Sequence, residues 1–395
     1  MEGMNRRRFL RTALQGAAIA PLAARGWRAF AADAGSADTG QQLLYVGTQT
    51  LKTSKGIYAY SFDASTGTLT QKGLAAWADN PTYLVFSPDK KYLYAANEID
   101  HFGGAKSGGV SAFAVDAAAA KLNFLNAVPA DGYGTTHVTV DHTGKAVFAA
   151  SYDSGSAVSF HVENDGRLSM PVSHFQYTGH GPDKERQTSP HAHWVTVSPD
   201  NRSLFVNDLG LDCIHIYKLD AATAKLTPGT PEAWHSDPGA GPRSLLFHPN
   251  GKIAYCVEEM SSMIVVLDWN AAKGTLTSVQ KVSTRTENWT GPTATGCKMV
   301  LTGDGLFAYA CDRGDNTITS FKVDPETGKL TQLGRVSCGG DIPRHIALDK
   351  SEKWLLVANQ VSDTISVIAR DSVAGTLAST SKTFALSRPQ CLLFY

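Results

Sequence analysis

The residues best equipped for chemistry are two histidines, a set of arginines and a glutamate, scattered along a chain of 395 residues. His191 and His193 close the segment GHGPDKERQTSPHAHWVTVSPD (179–200). This Gly/Pro-bounded loop also holds Asp183, Lys184, Glu185 and Arg186, and it runs into an alternating apolar strand at 194–197. Arg243, Glu259, Arg313 and Arg344 lie further on. An imidazole exchanges protons near neutral pH, so His193 is a candidate general base. Guanidinium groups are permanent cations that grip carboxylate or phosphate through paired hydrogen bonds, or steady a developing oxyanion. Glu259 would orient the histidine, act as base itself, or serve only as the ion partner of Arg243. GxSxG is absent and Cys297 sits in no nucleophile motif, so base-assisted water attack fits better than an acyl-enzyme. No clear third ligand adjoins His191 and His193, and neither a metal nor another cofactor is expected.

What must position these groups is a repeat. The chain reads repeatedly as a hairpin of two apolar strands, a third strand, an Asp-containing turn and a fourth strand. Thus NPTYLVFSPDKKYLYAANE precedes GGVSAFAVDAAAAKLNFLNAV, and GPRSLLFHPNGKIAYCVEE precedes MIVVLDWNAAKGTLTSV. Six full units occur, with hairpin turns at Ser87, Asp141, Ser198, His248, Thr302 and Asp349. A seventh is split: its first strand, RPQCLLFY, ends the chain, and its remaining strands begin at LLYVGTQT. Four strands in units spaced 46 to 57 residues apart indicate propeller blades. The split unit closes the ring by pairing the two ends of the chain, which protects edges that would otherwise invite aggregation. The predicted fold class is all-β: a seven-bladed β-propeller with four antiparallel strands per blade. One domain, 41–395, replaces the two or three that length alone suggests.

Counting the split unit as blade one, the hairpins share a register. Thr82 and Glu98, Thr136 and Tyr152, His193 and Leu209, Arg243 and Glu259, Cys297 and Arg313, and Arg344 and Gln360 are each 16 apart; Gln390 and Thr48 complete the set. In a propeller the start of the first strand and the end of the second meet on one rim, so these positions predict two stacked rings around one channel mouth. Blades four to seven supply His193, Arg243, Glu259, Arg313, Arg344 and Gln360, whereas blades one to three supply small or neutral groups apart from Glu98. Polar groups concentrated on one arc of a concavity mark a site. His193, Arg243, Glu259 and Arg313 are the expected catalytic set, with Arg344, Gln360, His191, Glu98 and Arg186 binding substrate. Arg243 and Arg344 both follow Pro and could instead bridge blades. Asp208, Glu258 and Asp312, one residue before the second ring, should turn into the blade and satisfy backbone or inter-blade donors. His137 and His345, one residue after the first ring, should pack between blades.

The totals narrow the partners. Basic and acidic side chains number 36 each, so no net field favours nucleic acid. No apolar run after residue 35 reaches the roughly 20 residues of a membrane span. Arg6, Arg7 and Arg8 followed by Phe9-Leu10, an Ala-rich stretch at 13–24, and small residues at Ala29 and Ala31 resemble a twin-arginine export signal. The expected organisation is a signal at 1–31, a linker at 32–40 and a mature monomer in the periplasm or outside the cell. The six cysteines lack close spacing and mostly sit in apolar runs, which predicts buried free thiols.

GPDKERQTSPHAH, GPRSLLFHPNGKIAYCVEE, DRGDNTITSFKVDPETGKL and PRHIALDKSEKWLLVANQVSDTISV resemble the lactonase family of seven-bladed propellers, over nearly all of 41–395. That family includes bacterial 6-phosphogluconolactonase and the fungal carboxy-muconate lactonising enzyme. The resemblance implies a lactone opened by water, or closed in the reverse sense, over the channel mouth. It also implies that His193, Arg243, Glu259 and Arg313 match the His, two Arg and Glu proposed as catalytic in the muconate enzymes. Two departures stand out: VEE at the end of blade five's second strand, where the family tends to have Asn-Glu, and TGDG for SPDG in blade six. An exported chain sits apart from cytoplasmic phosphogluconate metabolism, so a periplasmic sugar lactone such as an aldonolactone suits it better. The expected function is hydrolysis of a sugar-type lactone, with a small-molecule lactone or carboxylate as partner. A muconate-type cyclase and a non-catalytic ligand- or protein-binding propeller are the alternatives.

Overall fold

Strands such as Ile253–Glu258 and Phe307–Asp312 are buried at every position, so both faces of their sheets need cover. The computed structural model, which describes residues 40–291 and 295–395, meets that need radially. The described residues form seven antiparallel sheets and no helix. The inner strands are Pro389–Phe394, Pro81–Phe86, Thr135–Val140, Ala192–Val197, Pro242–Phe247, Gly296–Leu301 and Pro343–Leu348. Each touches the next in that order, and the last touches the first. The expected seven-bladed propeller is therefore present. Blade seven adds one detail: its outer strand is broken into Leu377–Ala378 and Thr383–Ala385, which pair separately with Thr364–Arg370. The signal at 1–31 and all but the last residue of the linker lie outside the described residues.

The core is seven clusters, one between each pair of neighbouring blades. Successive residues of a strand point to opposite faces, so Val257 and Ile264 of blade five pack on Ala308 and Phe321 of blade six. Cys256 and Val265, one step along, pack instead on Phe205 and Ile214 of blade four. Tyrosines on second strands latch the wedges together: the hydroxyls of Tyr94, Tyr255 and Tyr309 donate to the carbonyls of Gly166, Gly328 and Gly375 in the following blade. Those glycines have φ of 85°, 67° and 71°, and a Cβ on Gly328 would lie 2.6 Å from Ile253. The six cysteines are buried and free, as expected.

Ring closure follows the expected pairing of the chain ends, with Leu392 opposite Val46 and Phe394 opposite Leu44. Leu392 is buried in the cluster between blades one and seven. Leu392→Ala is expected to cost about 2–5 kcal/mol of unfolding free energy in a denaturant titration. Val373→Ala, at a position 87% exposed, should change it by less than about 0.5 kcal/mol.

Candidate active site

One irregularity repeats in all seven blades. The ladder between first and second strands skips one residue on the first strand: Pro81 faces Asn97 and Tyr83 faces Ala96, leaving Thr82 over. The same shift falls at Thr136, His193, Arg243 and Arg344, at Gln390 against the N-terminal strand, and around Cys297. Each first-ring residue is thus the extra residue of a β-bulge, a device that re-aims a side chain out of the pleat. The second-ring residues follow as predicted from the 16-residue offset, through a backbone bond from Glu98, Tyr152, Leu209, Glu259, Arg313 and Gln360 to the carbonyl two residues before the bulge. In blade one that bond comes from Gln49, donating to Arg388. The second-ring member there is therefore Gln49 and not Thr48: Thr48 is the ladder partner of Pro389, as Asn97 is of Pro81, and its hydroxyl donates to the Gly56 carbonyl.

The bulged residues enclose a small cavity of about 20 Å³ walled by Thr82, Thr136, His193, Arg243, Arg344 and Gln390. Its floor is the next layer down: Tyr83, Trp194, Lys298 and His345. Glu259 sits at the charged side. Its Oε2 accepts from Arg243 Nε at 2.9 Å and from Arg313 Nη2 at 2.7 Å, while Oε1 accepts from Arg186 Nη2 at 2.6 Å. Burial alone would raise the Glu259 carboxyl, but Arg313, Arg243, His193 and Arg186 together hold it well below the usual carboxylate range. A carboxylate so tightly held is a poor proton acceptor. Its work here is to let three guanidiniums share one small space.

His193 has the opposite character. It is 5% exposed, and its Nδ1 is buried without a hydrogen-bond partner among the described residues. Burial and the charges of Arg243 and Arg344 lower its pKa well below the ordinary value. A neutral imidazole with a free ring nitrogen, beside an arginine and facing a cavity, can accept a proton from water. Arg344 lies across from it, 3.2 Å from Gln390 Oε1 through its Nε. Glu98, in blade two, has a buried Oε2 with no partner among the described residues.

The remaining expected residues take supporting places. Arg186 arrives on the loop 181–187, where Asp183 Oδ1 accepts from the backbone of Glu185 and Arg186 and Gln187 Nε2 donates to Asp212 Oδ1 at 2.7 Å. His191 stacks on Tyr152 with centroids 4.4 Å apart and shares a hydrogen bond with the Tyr152 carbonyl, which puts it between blades three and four. Gln360 donates to Gln49 Oε1 at 3.0 Å. Cys297 is fully buried beside the Arg344 carbonyl and does not line the cavity. Asp208, Glu258 and Asp312 turn into their blades as expected: Asp208 accepts from the backbone of His191, Gly210 and Leu211, Glu258 from Ser236 and Ser261, and Asp312 from Thr295 and Gly314. His137 and His345 accept at Nδ1 from Val195 and Leu392 of the following blades, again as expected.

The floor was not foreseen. Lys298 Nζ donates to Tyr83 at 3.1 Å and lies 4.2 Å from the Trp194 ring centre, and burial pushes its ammonium down to about 8. His137 stacks on Trp194 at 3.5 Å and on Tyr83 at 4.0 Å. A signal existed in the sequence: the position after each bulge holds Tyr, His, Trp, Ser, Lys, His and Cys, an unusual density of large polar groups for a strand interior.

A seven-bladed propeller with an arginine-rich, histidine-bearing channel mouth is the class of protein that fold and site define. Residues 43–394 match the model of the lactonase family, described as a seven-bladed β-propeller, and the chain belongs to that family. The expectation of a lactonase-type enzyme holds accordingly. The chain is 35% identical over 351 residues to a 6-phosphogluconolactonase of Bacillus subtilis, covering 89% of this chain and 97% of the relative. A 6-phosphogluconolactonase of Formosa agariphila is 30% identical, over 85% of this chain and 94% of its own. The structure of the periplasmic gluconolactonase of Pseudomonas aeruginosa superposes with a TM-score of 0.84 at 31% identity, covering 90% of this chain and 99% of that one.

Two consequences can be measured. Removing the shared anion in Glu259→Gln leaves three guanidiniums without their partner, and the loss of stability is expected to be about 3–5 kcal/mol. His137, His193 and His345 all have pKa values held well below 6.5, first by burial. The unfolded chain takes up those protons near pH 6.5 and the folded chain does not. Stability is therefore full above that pH and lost as pH falls below it, by about 1.4 kcal/mol per pH unit for each histidine. Denaturant titrations between pH 5 and 7 should show the decline, and His193→Gln should reduce its slope by about one proton.

Proposed function

We propose that this protein hydrolyses a sugar-type lactone, an unphosphorylated aldonolactone of the cell envelope, by water attack at the arginine-rich mouth. The observation that carries the reading is His193: a neutral, buried imidazole whose Nδ1 lacks a protein partner, in the same cavity wall as Arg243 and Arg344. In the proposed reaction water gives a proton to His193 and its oxygen attacks the lactone carbonyl carbon. Arg243 and Arg344 stabilise the oxyanion that forms. The intermediate collapses with cleavage of the ring C–O bond, and the arginines then hold the carboxylate product. Glu259 is a positioning residue that keeps Arg186, Arg243 and Arg313 in register; the base role weighed for it from sequence is set aside because its three cations suppress proton uptake.

Family membership and the relatives' names support lactone opening. The unphosphorylated substrate is supported by the Arg-Arg-Phe-Leu leader, which reads as an export signal, and by likeness to a relative described as a periplasmic gluconolactonase.

Purified chain should accelerate acid release from glucono-1,5-lactone above a carefully measured spontaneous blank, and act more weakly on the 6-phosphate. His193→Asn is expected to lower kcat/KM about 10²–10⁴-fold, and Arg243→Ala about 10²–10³-fold. No acceleration on either lactone, or an unchanged Arg243→Ala, would sink the reading.

A further inference from the structure

Lactone opening needs two proton transfers, and His193 accounts for one. The ring oxygen departs as an alkoxide, so a sugar lactone gains from a donor poised on the side away from the attacking water. Such a donor must hold a proton near neutral pH and have an oxygen that no protein group already occupies. Glu259 fails on both counts, since three guanidiniums hold it ionised and use both of its oxygens.

The mouth's other glutamate differs on both counts. Glu98 occupies in blade two the second-ring slot that Glu259 occupies in blade five, which puts the two on different sides of the opening. Its Oε2 is buried with no ion pair among the described residues, and its near neighbour is the hydroxyl of Thr82, which stands in the cavity wall. Two residues of that wall also carry a buried polar atom without a partner among the described residues, His193 at Nδ1 and Gln390 at Nε2. Buried polar atoms are ordinarily paired, so orphaned atoms converging on one space point to a ligand that would satisfy them. Burial raises the Glu98 carboxyl, and Asp153 adds to the rise; Arg344 and Arg243 act the other way without cancelling it.

We propose that Glu98 is the general acid that protonates the ring oxygen of the lactone as the C–O bond breaks, with His193 as base. This rests on the lactonase reading above. One O–H bond of water breaks and its proton goes to His193; the water oxygen bonds to the carbonyl carbon. The ring C–O bond then breaks, and its electron pair takes the proton from Glu98, giving the product hydroxyl. The His193 proton returns to Glu98 through solvent, and the product acid releases its own proton.

The test is Glu98→Gln, with Glu98→Asp as a variant that keeps an acid in place and thermal melts to check folding. Two lactones are compared: glucono-1,5-lactone, whose alkoxide needs protonation, and dihydrocoumarin, whose phenolate leaves unaided. In Glu98→Gln, kcat on gluconolactone should fall about 10²–10⁴-fold while kcat on dihydrocoumarin falls no more than about fivefold. Wild-type kcat should also drop as pH rises through the Glu98 titration, and Glu98→Gln should lose that limb. Glu98→Asp should recover part of the gluconolactone rate. Equal losses on both lactones, a change in KM alone, or an alkaline limb that survives the substitution would overturn the acid role, leaving Glu98 to bind hydroxyls or to hold structure. Wild-type turnover of gluconolactone tests the lactonase reading separately; without it, both fall.

Discussion

One buried carboxylate holds the mouth of this propeller together. Glu259 receives hydrogen bonds from Arg243 of its own blade, Arg313 of the next, and Arg186 from the loop of the preceding one. Three guanidiniums gathered within reach of one carboxylate would repel one another strongly at low dielectric, and the shared anion removes that obstacle. The arrangement still leaves net positive charge beside the cavity. Arg344, across the opening, has only a neutral amide as its recorded hydrogen-bond partner. That excess suits a group on which negative charge grows during reaction. Burial and the same cations hold the His193 pKa below its ordinary value.

The scaffold makes this possible by separating two tasks. Stability resides in clusters between blades, where alternating strand residues pack on both neighbours. The candidate site residues sit at the bulges, where one residue per blade leaves the ladder. Side chains at those positions can differ from blade to blade without disturbing the wedges. The floor layer takes part in both tasks: His137 and His345 bind the backbone of the following blade while stacking around Tyr83 and beneath the cavity. The resulting plug of rings and a buried lysine gives the cavity a closed end, so a ligand at this mouth meets a pocket and not an open tunnel.

Much of this was legible in the sequence because a repeat samples the same geometry many times. A hairpin with a constant offset of 16 residues identifies the rim positions whatever side chains occupy them, and the split unit reveals ring closure. The offset was right, yet His193 and Leu209 are not ladder partners: Ala192 faces Asp208 and Trp194 faces Asn207. A bulge leaves no mark in an alternating pattern, and in blade one the two strands come from opposite ends of the chain, so no 16-residue count could choose Gln49 over Thr48. The contrast between the surroundings of the two glutamates was hidden as well. Glu98 and Glu259 hold equivalent slots in equivalent strands, and only their surroundings separate them.

The sequence by itself determined the architecture, the seven blades, the closure of the ring and the list of residues that reach its rim. These follow from hydrophobic period, turn chemistry and repetition, which are local properties summed along the chain. Only the tertiary structure decided which charges neutralise one another, which polar atoms stay unpartnered and which histidine faces the cavity instead of a neighbouring blade. Those outcomes depend on distances between residues far apart along the chain, such as Arg186 and Glu259, 73 positions apart, or Gln42 and Asp349, 307 apart. Coulomb energies and hydrogen bonds are set by ångströms in space, and no spacing along a chain encodes them directly.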